Sequence, residues 1–232
     1  MTGKVLFLLF SVALIGAYGY PDRSKIIDRI NFARTSPQDM AVLITARYNT
    51  LAGAADAVVY LQNSPELTEL ATSQGVQAAA QLHANYLKAR TVLTNPYSGC
   101  SGSHIENRIN QVGTWTQLGE NILTGESDEE KIVVTWIIDA NSDNKINRRN
   151  IFENGFTSIG VGVSDGINSK NIVVVDFAGG FTCDDPCPNV PARDVDYECT
   201  SPAYTYGSNG SILSIKTAFS FICFLFLIIF AL

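Results

Sequence analysis

Both ends of the chain are apolar, and this limits the part of the sequence that can form a globular domain. Near the N-terminus, Lys4 precedes an apolar run over residues 5–15, and the small residues Ala17 and Gly19 follow that run. A basic residue, a short apolar run and a small-x-small step are the pattern of a secretory signal peptide. We therefore predict that residues 1–19 are removed by cleavage after Gly19.

The C-terminus combines small polar residues over 206–211 with an apolar tail over 217–232 that ends the chain without a charge. This pattern predicts a glycosylphosphatidylinositol (GPI) attachment signal, whose tail is removed and replaced by a lipid. A transmembrane helix is the alternative, but residues 218–232 are fewer than the roughly 20 apolar residues that a spanning helix needs. The candidate attachment residues are Ser208, Asn209 and Gly210.

Between these signals lie about 190 residues, which is enough for one domain with a hydrophobic core. We predict a domain over residues 20–181, a Cys- and Pro-rich stalk over 182–209, and a removed tail over 210–232. Without Lys4 and Lys216, the chain has 14 basic and 22 acidic residues. Such an acidic surface repels nucleic acid, so the sequence argues against a nucleic-acid-binding function.

Four cysteines remain outside the tail, because Cys223 lies within it. An even number of cysteines in a secreted domain predicts two disulfides, with three possible pairings. A zinc ribbon would require two CxxC pairs, and the spacing does not supply them. The four residues are Cys100, Cys183, Cys187 and Cys199.

Capping signals and apolar spacing predict four helices ahead of two strands. Ser24 is the predicted cap of the first helix, and Ser-Pro steps are predicted to begin helices over residues 36–48 and 64–86. Ser127 opens the clearest capping box, Ser-Asp-Glu-Glu, before a fourth helix. An alternating pattern at residues 159–163 then predicts one strand, and an apolar run from residue 172 predicts a second. This order predicts an α+β fold, an α-β-α sandwich with a central antiparallel sheet between helical layers.

Several segments, in order, resemble the CAP superfamily of cysteine-rich secretory proteins, antigen 5 and pathogenesis-related proteins, in its shorter microbial and protist form. The resemblance covers roughly residues 24–181. It is carried by INFARTSP (30–37), LGENI (118–122), the tryptophan-bearing segment 132–139, RRNIF (148–152), GVGV (160–163) and the segment ending in FAGGF (174–181).

The resemblance implies an α-β-α sandwich with a cleft, where two histidines and two acidic residues can hold a divalent metal. The acidic positions fall on Glu120 and Asp139. The histidine positions fall on Asn147 and on Tyr97 or its neighbours. Imidazole is the ligand that lets such a cleft hold zinc, and an asparagine carbonyl is a poor replacement. The set of four metal-binding positions is therefore incomplete, and we expect no metal cofactor.

Two histidines exist elsewhere in the chain. His83 is predicted to be a surface or packing residue on the third helix, and His104 could reach the cleft only if its loop were rearranged. Glu120 itself has a structural alternative, in which a buried carboxylate bonds backbone amides and organises neighbouring loops.

The segment that begins at Asp139 also resembles a calcium-binding loop. Asp139, Asn141 and Asp143 occupy positions one, three and five of such a loop. Position six is Asn144 rather than glycine, and position twelve is Asn150 rather than glutamate. We therefore expect a polar connecting loop at this point.

The function implied by the resemblance is the binding of a lipid, a sterol or a protein partner rather than catalysis. The sequence has no GxSxG motif and no histidine beside a serine at a recognisable spacing. Two alternatives remain open: a metal-dependent hydrolase that uses the carboxylates of Glu120 and Asp139, and a structural cell-coat protein. The two terminal signals predict a location on the outer face of the plasma membrane, or secretion if the anchor is absent.

Overall fold

The computed structural model describes residues 19–89, 104–165 and 170–183. Its helices are α1 (Arg23–Thr35), α2 (Pro37–Arg47), α3 (Ala54–Gln62), α4 (Gln74–Ala89), α5 (Ile105–Ile109), α6 (Glu129–Ile138) and α7 (Ile146–Ile151). Its strands are β1 (Ala71–Thr72), β2 (Gly113–Thr114), β3 (Gln117–Thr124), β4 (Ser158–Asp165), β5 (Asn171–Gly179) and β6 (Thr182–Cys183). The predictions for residues 1–18, Tyr97, Cys100, Cys187, Cys199 and the C-terminal tail lie outside the described residues.

The central sheet has the strand order β1-β4-β5-β3. Strands β3 and β4 are both antiparallel to β5, whereas β1 pairs parallel to β4 through Ala71 and Thr72. The sheet is therefore mixed: the three long strands are antiparallel as predicted, and the short strand β1 adds one parallel pair. A strand of two residues has too short an alternating pattern to be recognised in the sequence.

Strand β5 is buried on both faces, which places the sheet between two helical layers. Side chains at odd positions, such as Val173 and Phe177, join the core formed with α1, α2, α3 and α6. Side chains at even positions, such as Val174 and Ala178, pack in the clusters formed with α4 and α5. Because successive side chains in a strand point to opposite faces, this continuous apolar strand separates the layers of an α-β-α sandwich.

Two glycines of the GVGV segment allow α4 to lie directly on β4. A Cβ atom on Gly160 would lie 2.2 Å from the backbone nitrogen of Gln77, and one on Gly162 would lie 2.2 Å from the carbonyl oxygen of Ala80. The buried amide of Gln81 then hydrogen-bonds both backbone groups of Val163, at 3.0 Å to its nitrogen and 2.9 Å to its oxygen. Glycine is required here because any side chain would push the helix off the strand.

The predicted helices over residues 36–48 and after Ser127 are confirmed, but two predicted helix starts were wrong. Asp22, not Ser24, caps α1, and its carboxylate accepts from the backbone nitrogen of Ser24 at 2.9 Å. The third predicted helix begins at Gln74 rather than at residue 64. Helices α3, α5 and α7 were not predicted.

The segment before Gln74 is not helical because side chains of α1 bind its backbone. The Asn31 side chain accepts from the nitrogen of Leu70 at 2.9 Å and donates to its oxygen at 3.1 Å. Arg34 donates from Nε to the oxygen of Thr68 at 3.0 Å. These contacts satisfy the backbone groups that an α-helix would otherwise pair internally.

Candidate functional site

Glu120 lies in a buried cluster of ionisable side chains supplied by four elements. It is paired across the sheet with Asp176 of β5, so both carboxyl groups point into the α4 and α5 layer. Arg108 of α5 donates to the Glu120 carboxylate and lies 3.3 Å from Oδ1 of Asp176. His83 of α4 contributes Nδ1 at 2.7 Å from Oε2 of Glu120. The four side chains are between 0 and 8% exposed.

Burial sets the protonation states in this cluster. It raises the pKa of Glu120 and places the pKa of Asp176 well above its ordinary value, although the Arg108 charge opposes both shifts. Burial and the same Arg108 charge lower the pKa of His83 from 6.5 to about 3. At neutral pH His83 is therefore a neutral imidazole, and the nearby Arg108 side chain offsets part of the cost of burying the Glu120 and Asp176 carboxyl groups.

His83 was predicted to be a surface or packing residue, and the sequence analysis missed its contact with Glu120. Because Nδ1 faces a carboxylate, the neutral ring carries its proton there and Nε2 is left as an acceptor. Nε2 is buried without a hydrogen-bond partner among the described residues. The available signal was a set of polar positions, Gln81, His83 and Asn85, on a helix otherwise rich in alanine and leucine; all three are buried.

Asp139 and Asn147 contact each other at the other candidate position. Asp139 ends α6 in the left-handed conformation, with φ of 46°. Its Oδ2 accepts from the backbone nitrogen of Asn147 at 2.8 Å, and its Oδ1 accepts from Nδ2 of Asn147 at 2.9 Å. Both carboxylate oxygens are therefore engaged in shaping the loop between α6 and α7.

Glu120 and the Asp139–Asn147 pair lie on opposite faces of the sheet. The side chain next to Glu120, that of Asn121, donates to the carbonyl oxygen of Asn147 at 3.0 Å and accepts from Asn150 at 2.9 Å. Adjacent side chains in a strand point to opposite faces, so Glu120 points away from this pair. The structure thus brings Asp139 and Asn147 together and places Glu120 in a different set. Tyr97 lies outside the described residues, and the four-residue cleft stays a prediction.

The donors in the described residues do not fit a divalent metal. No three His, Cys, Asp or Glu side chains in residues 19–89, 104–165 and 170–183 are arranged to hold one. The Arg108 guanidinium on Glu120 would repel a cation at that carboxylate. In the loop that resembles a calcium site, Asp139 is already engaged, and Lys145 places its Nζ 3.0 Å from the Asp139 carbonyl oxygen. His104 is exposed at the start of α5.

Of the four predicted disulfide cysteines, Cys183 lies within the described residues. It belongs to β6, which pairs with β2 through Cys183 opposite Gly113. The first two residues of the predicted stalk are thus part of a strand. The pairing of the cysteines stays a prediction.

Comparison with models of known protein families identifies the family of this chain. The model of the cysteine-rich secretory protein family, CAP, matches residues 28–177. No curated protein sequence matches the chain. Within the described residues, no helix has the length and apolar character needed to span a bilayer.

Several solved structures are similar in fold. Venom allergen-like protein 4 of Schistosoma mansoni is 14% identical over 76% of this chain and 94% of its own, with a TM-score of 0.44. An extracellular protein of Bacillus anthracis that contains an SCP domain is 21% identical over 68% of this chain and 41% of its own, with a TM-score of 0.40. An outer surface protein of Borrelia burgdorferi is 14% identical over 66% of this chain and 92% of its own, with a TM-score of 0.41.

Proposed function

We propose that this chain, which belongs to the cysteine-rich secretory protein family, acts outside the cell by binding a partner rather than by catalysis. Members of this family are commonly extracellular and are generally not classical enzymes. The observation that supports a binding role most strongly is the state of the Glu120 carboxylate, which is 8% exposed and engaged by both Arg108 and His83.

A hydrolase would need a carboxylate that reaches its substrate. A general acid or base must come within hydrogen-bond distance of the proton that it transfers. The Glu120 carboxylate is buried against Arg108, and the Asp139 oxygens are occupied by Asn147. Both carboxylates therefore hold the domain together, which favours a stable binding scaffold over the hydrolase alternative.

The grooves beside α1 favour a protein partner over a sterol or a fatty acid. A groove of about 500 Å³ lies between α1 and the start of α6, and a second of about 360 Å³ lies between α1 and the region of Thr72 and Gln77. A sterol would require a mainly apolar pocket. The first groove is instead lined by Lys25, Asp28, Arg29, Phe32, Asp128, Glu129 and Glu130.

A charge swap on α1 tests this proposal. Lys25 and Asp28 are exposed in the first groove, so Lys25→Glu with Asp28→Lys exchanges their charges without changing the net charge. The matched control is Arg149→Glu with Asp143→Lys, because both of these residues are exposed elsewhere. Cross-linking of the secreted ectodomain to cell-surface proteins should give specific adducts that only the α1 swap reduces, with thermal stability unchanged.

Other outcomes would select the alternatives. Stoichiometric binding of radiolabelled cholesterol that both swaps leave intact would identify a lipid carrier. Turnover of an ester or peptide panel that is lost in Glu120→Gln would identify an enzyme. If no partner is captured and the protein forms a regular surface layer, the structural-coat alternative is correct.

Attachment to the outer face of the plasma membrane forms part of the proposal. It rests on the small residues at 208–210 and the apolar tail. With the lipid in place of the tail, the domain would face the extracellular medium and present α1 to partners.

A further inference from the structure

Polar side chains of α1 bind the backbone of the segment that leads into β1. Arg34 donates from Nε to the carbonyl oxygen of Thr68 at 3.0 Å. About one helical turn earlier, the Asn31 carboxamide accepts from the nitrogen of Leu70 at 2.9 Å and donates to its oxygen at 3.1 Å. At Leu70 a helix side chain thus takes the place of a neighbouring strand, because it satisfies both backbone groups of that residue.

The next alternate residue, Thr72, has no such partner. Ala71 and Ser73 donate their backbone N–H groups to carbonyl oxygens in and next to β4, at 3.0 Å each. Alternate residues of a strand direct their backbone groups to opposite sides, so those of Thr72 point away from β4, on the side where Asn31 binds Leu70. Within the described part of the chain, no group forms a hydrogen bond with either of them. The sheet therefore ends in one unpaired donor and one unpaired acceptor at Thr72.

Thr72 stays accessible because the residue of α1 beside it is apolar. Ile27 lies one turn before Asn31 on the same face of the helix, is 7% exposed and has no side-chain hydrogen-bonding group. The groove of about 360 Å³ lies at this position, and residues of α1, Thr72 and Gln77 line it. Thr72 itself is exposed. The groove thus gives a ligand access to the free edge of the sheet.

We propose that this groove binds an extended, basic segment of a protein partner, whose main chain pairs with Thr72. The Asn31 carboxamide shows the required chemistry at Leu70, because it presents one acceptor and one donor to the same residue. A residue of an extended peptide presents the same two groups when it forms a hydrogen-bonded antiparallel pair. The partner segment therefore adds a strand to the edge of the sheet. This inference rests on the proposed binding function and names the class of partner.

The charges in the groove favour a basic segment. Asp22 and Asp28 line the groove, and both are exposed. Arg23 also lines it, but its guanidinium donates to Oε1 of the buried Gln81. A lysine or arginine next to the residue that pairs with Thr72 therefore complements this surface, whereas an acidic segment is repelled.

Nuclear magnetic resonance of the ¹⁵N-labelled secreted protein tests the pairing directly. The probe is a capped pentapeptide of three lysines alternating with two valines, added to about 1 mM, a concentration at which weak complexes form. It should shift the amide signal of Thr72. An analogue with every backbone nitrogen methylated, and one with aspartate in place of lysine, should each bind at least about 10-fold more weakly, which corresponds to about 1.4 kcal/mol. An unchanged Thr72 signal, or equal binding of either analogue, would overturn the proposal.

Substitutions at Thr72 separate the backbone from the side chain. Thr72→Pro removes the outward N–H, and the sheet keeps its hydrogen bonds because Ala71 and Ser73 make them. Thr72→Val keeps the N–H and is the matched control. Followed at the Asp28 amide, the proline variant should bind the lysine–valine peptide at least about 10-fold more weakly than the valine variant. Equal affinities would refute pairing through the backbone, and the methylated peptide tests the same point without depending on how the variants fold.

Cross-linking to cell-surface proteins distinguishes a failure of this inference from a failure of the proposed binding function. Specific adducts that Thr72→Pro reduces would support both. Adducts that the charge swap on α1 reduces and Thr72→Pro leaves unchanged would retain the binding function and refute the pairing. Peptide binding at Thr72 without any adduct would support the pairing and refute a cell-surface partner. A Thr72 signal that moves with protein concentration alone would show that a second copy of the chain occupies the groove, which overturns the assignment of a partner.

Discussion

Replacing Arg108 by methionine should destabilise the domain more than most single changes. Methionine has a similar length but no charge, so Arg108→Met leaves Glu120 and Asp176 buried without their cation. The Arg108 and Asp176 side chains are fully buried and that of Glu120 is 8% exposed, so water cannot replace the lost partner. Removal of one member of a buried ion pair typically costs about 3–5 kcal/mol.

The expected loss is measurable by thermal and urea unfolding followed by circular dichroism at pH 7. For a domain of this size each kcal/mol lowers Tm by about 2–4 °C, so the variant should melt roughly 6–20 °C below the unmodified protein. The triple variant Arg108→Met, Glu120→Gln, Asp176→Asn removes the stranded carboxyl groups and should recover much of the loss.

The stability of the single variant Arg108→Met should depend on pH in a defined direction. Without Arg108 the pKa values of Glu120 and Asp176 rise further, because burial already raises both and the opposing positive charge is gone. The folded state then binds more protons than the unfolded state at neutral pH, so lowering the pH favours folding. The deficit of Arg108→Met should therefore shrink between pH 8 and pH 5. A loss below about 1 kcal/mol, or a deficit independent of pH, would show that the four side chains do not act as one buried cluster.

Three further predictions concern His83, Gly162 and the C-terminal tail. Burial lowers the pKa of His83 from 6.5 to about 3, so below pH 6.5 only the unfolded chain takes up this proton. Relative to His83→Gln, the unmodified protein should therefore lose about 1.4 kcal/mol of unfolding free energy per pH unit as the pH falls. Urea unfolding of both proteins at pH 7 and pH 5 measures this, and an equal difference in unfolding free energy at the two pH values would contradict it. Gly162→Ala places a methyl group 2.2 Å from the carbonyl oxygen of Ala80 and should cost about 1–3 kcal/mol or more; a melting temperature equal to that of the unmodified protein would refute the close packing of α4 on β4. A phosphatidylinositol-specific phospholipase should release the protein from intact cells, and retention while known anchored proteins are freed would identify the tail as a transmembrane helix.

Local signals in the sequence were sufficient for several elements. The capping signal at Ser127 predicted the start of α6 to within one residue, because Asp128 is the cap and its carboxylate accepts from the backbone nitrogen of Lys131. The apolar positions of the helix are all buried, as the helical spacing required: Ile132, Val133, Trp136 and Ile137. Strand β4 was likewise predicted from its alternating pattern, and strand β5 from its apolar run. Capping residues and the spacing of apolar residues depend only on neighbours in the chain. These predictions were confirmed for that reason.

The order of the sequence motifs was enough to identify the family, but it did not show which groups the motif residues contact. Arg34 of the first motif binds the carbonyl oxygen of Thr68, and Asn150 of a later motif binds the carbonyl oxygen of Glu120. These side chains satisfy backbone groups that are distant in sequence. The same bonding keeps the residues before Gln74 out of a helix, against the local Ser-Pro signal.

Only the tertiary structure decided the surroundings of Glu120. The sequence marked this glutamate as a candidate site residue, but its partners His83, Arg108 and Asp176 come from α4, α5 and β5. No local pattern links positions 37, 12 and 56 residues away. The direction of the side chain followed from strand register, because a shift of one residue would have turned Glu120 to the opposite face, toward Asn147. Register is fixed by pairing between strands that are distant in the chain, so the sequence identified the residue while the fold determined which charges surround it.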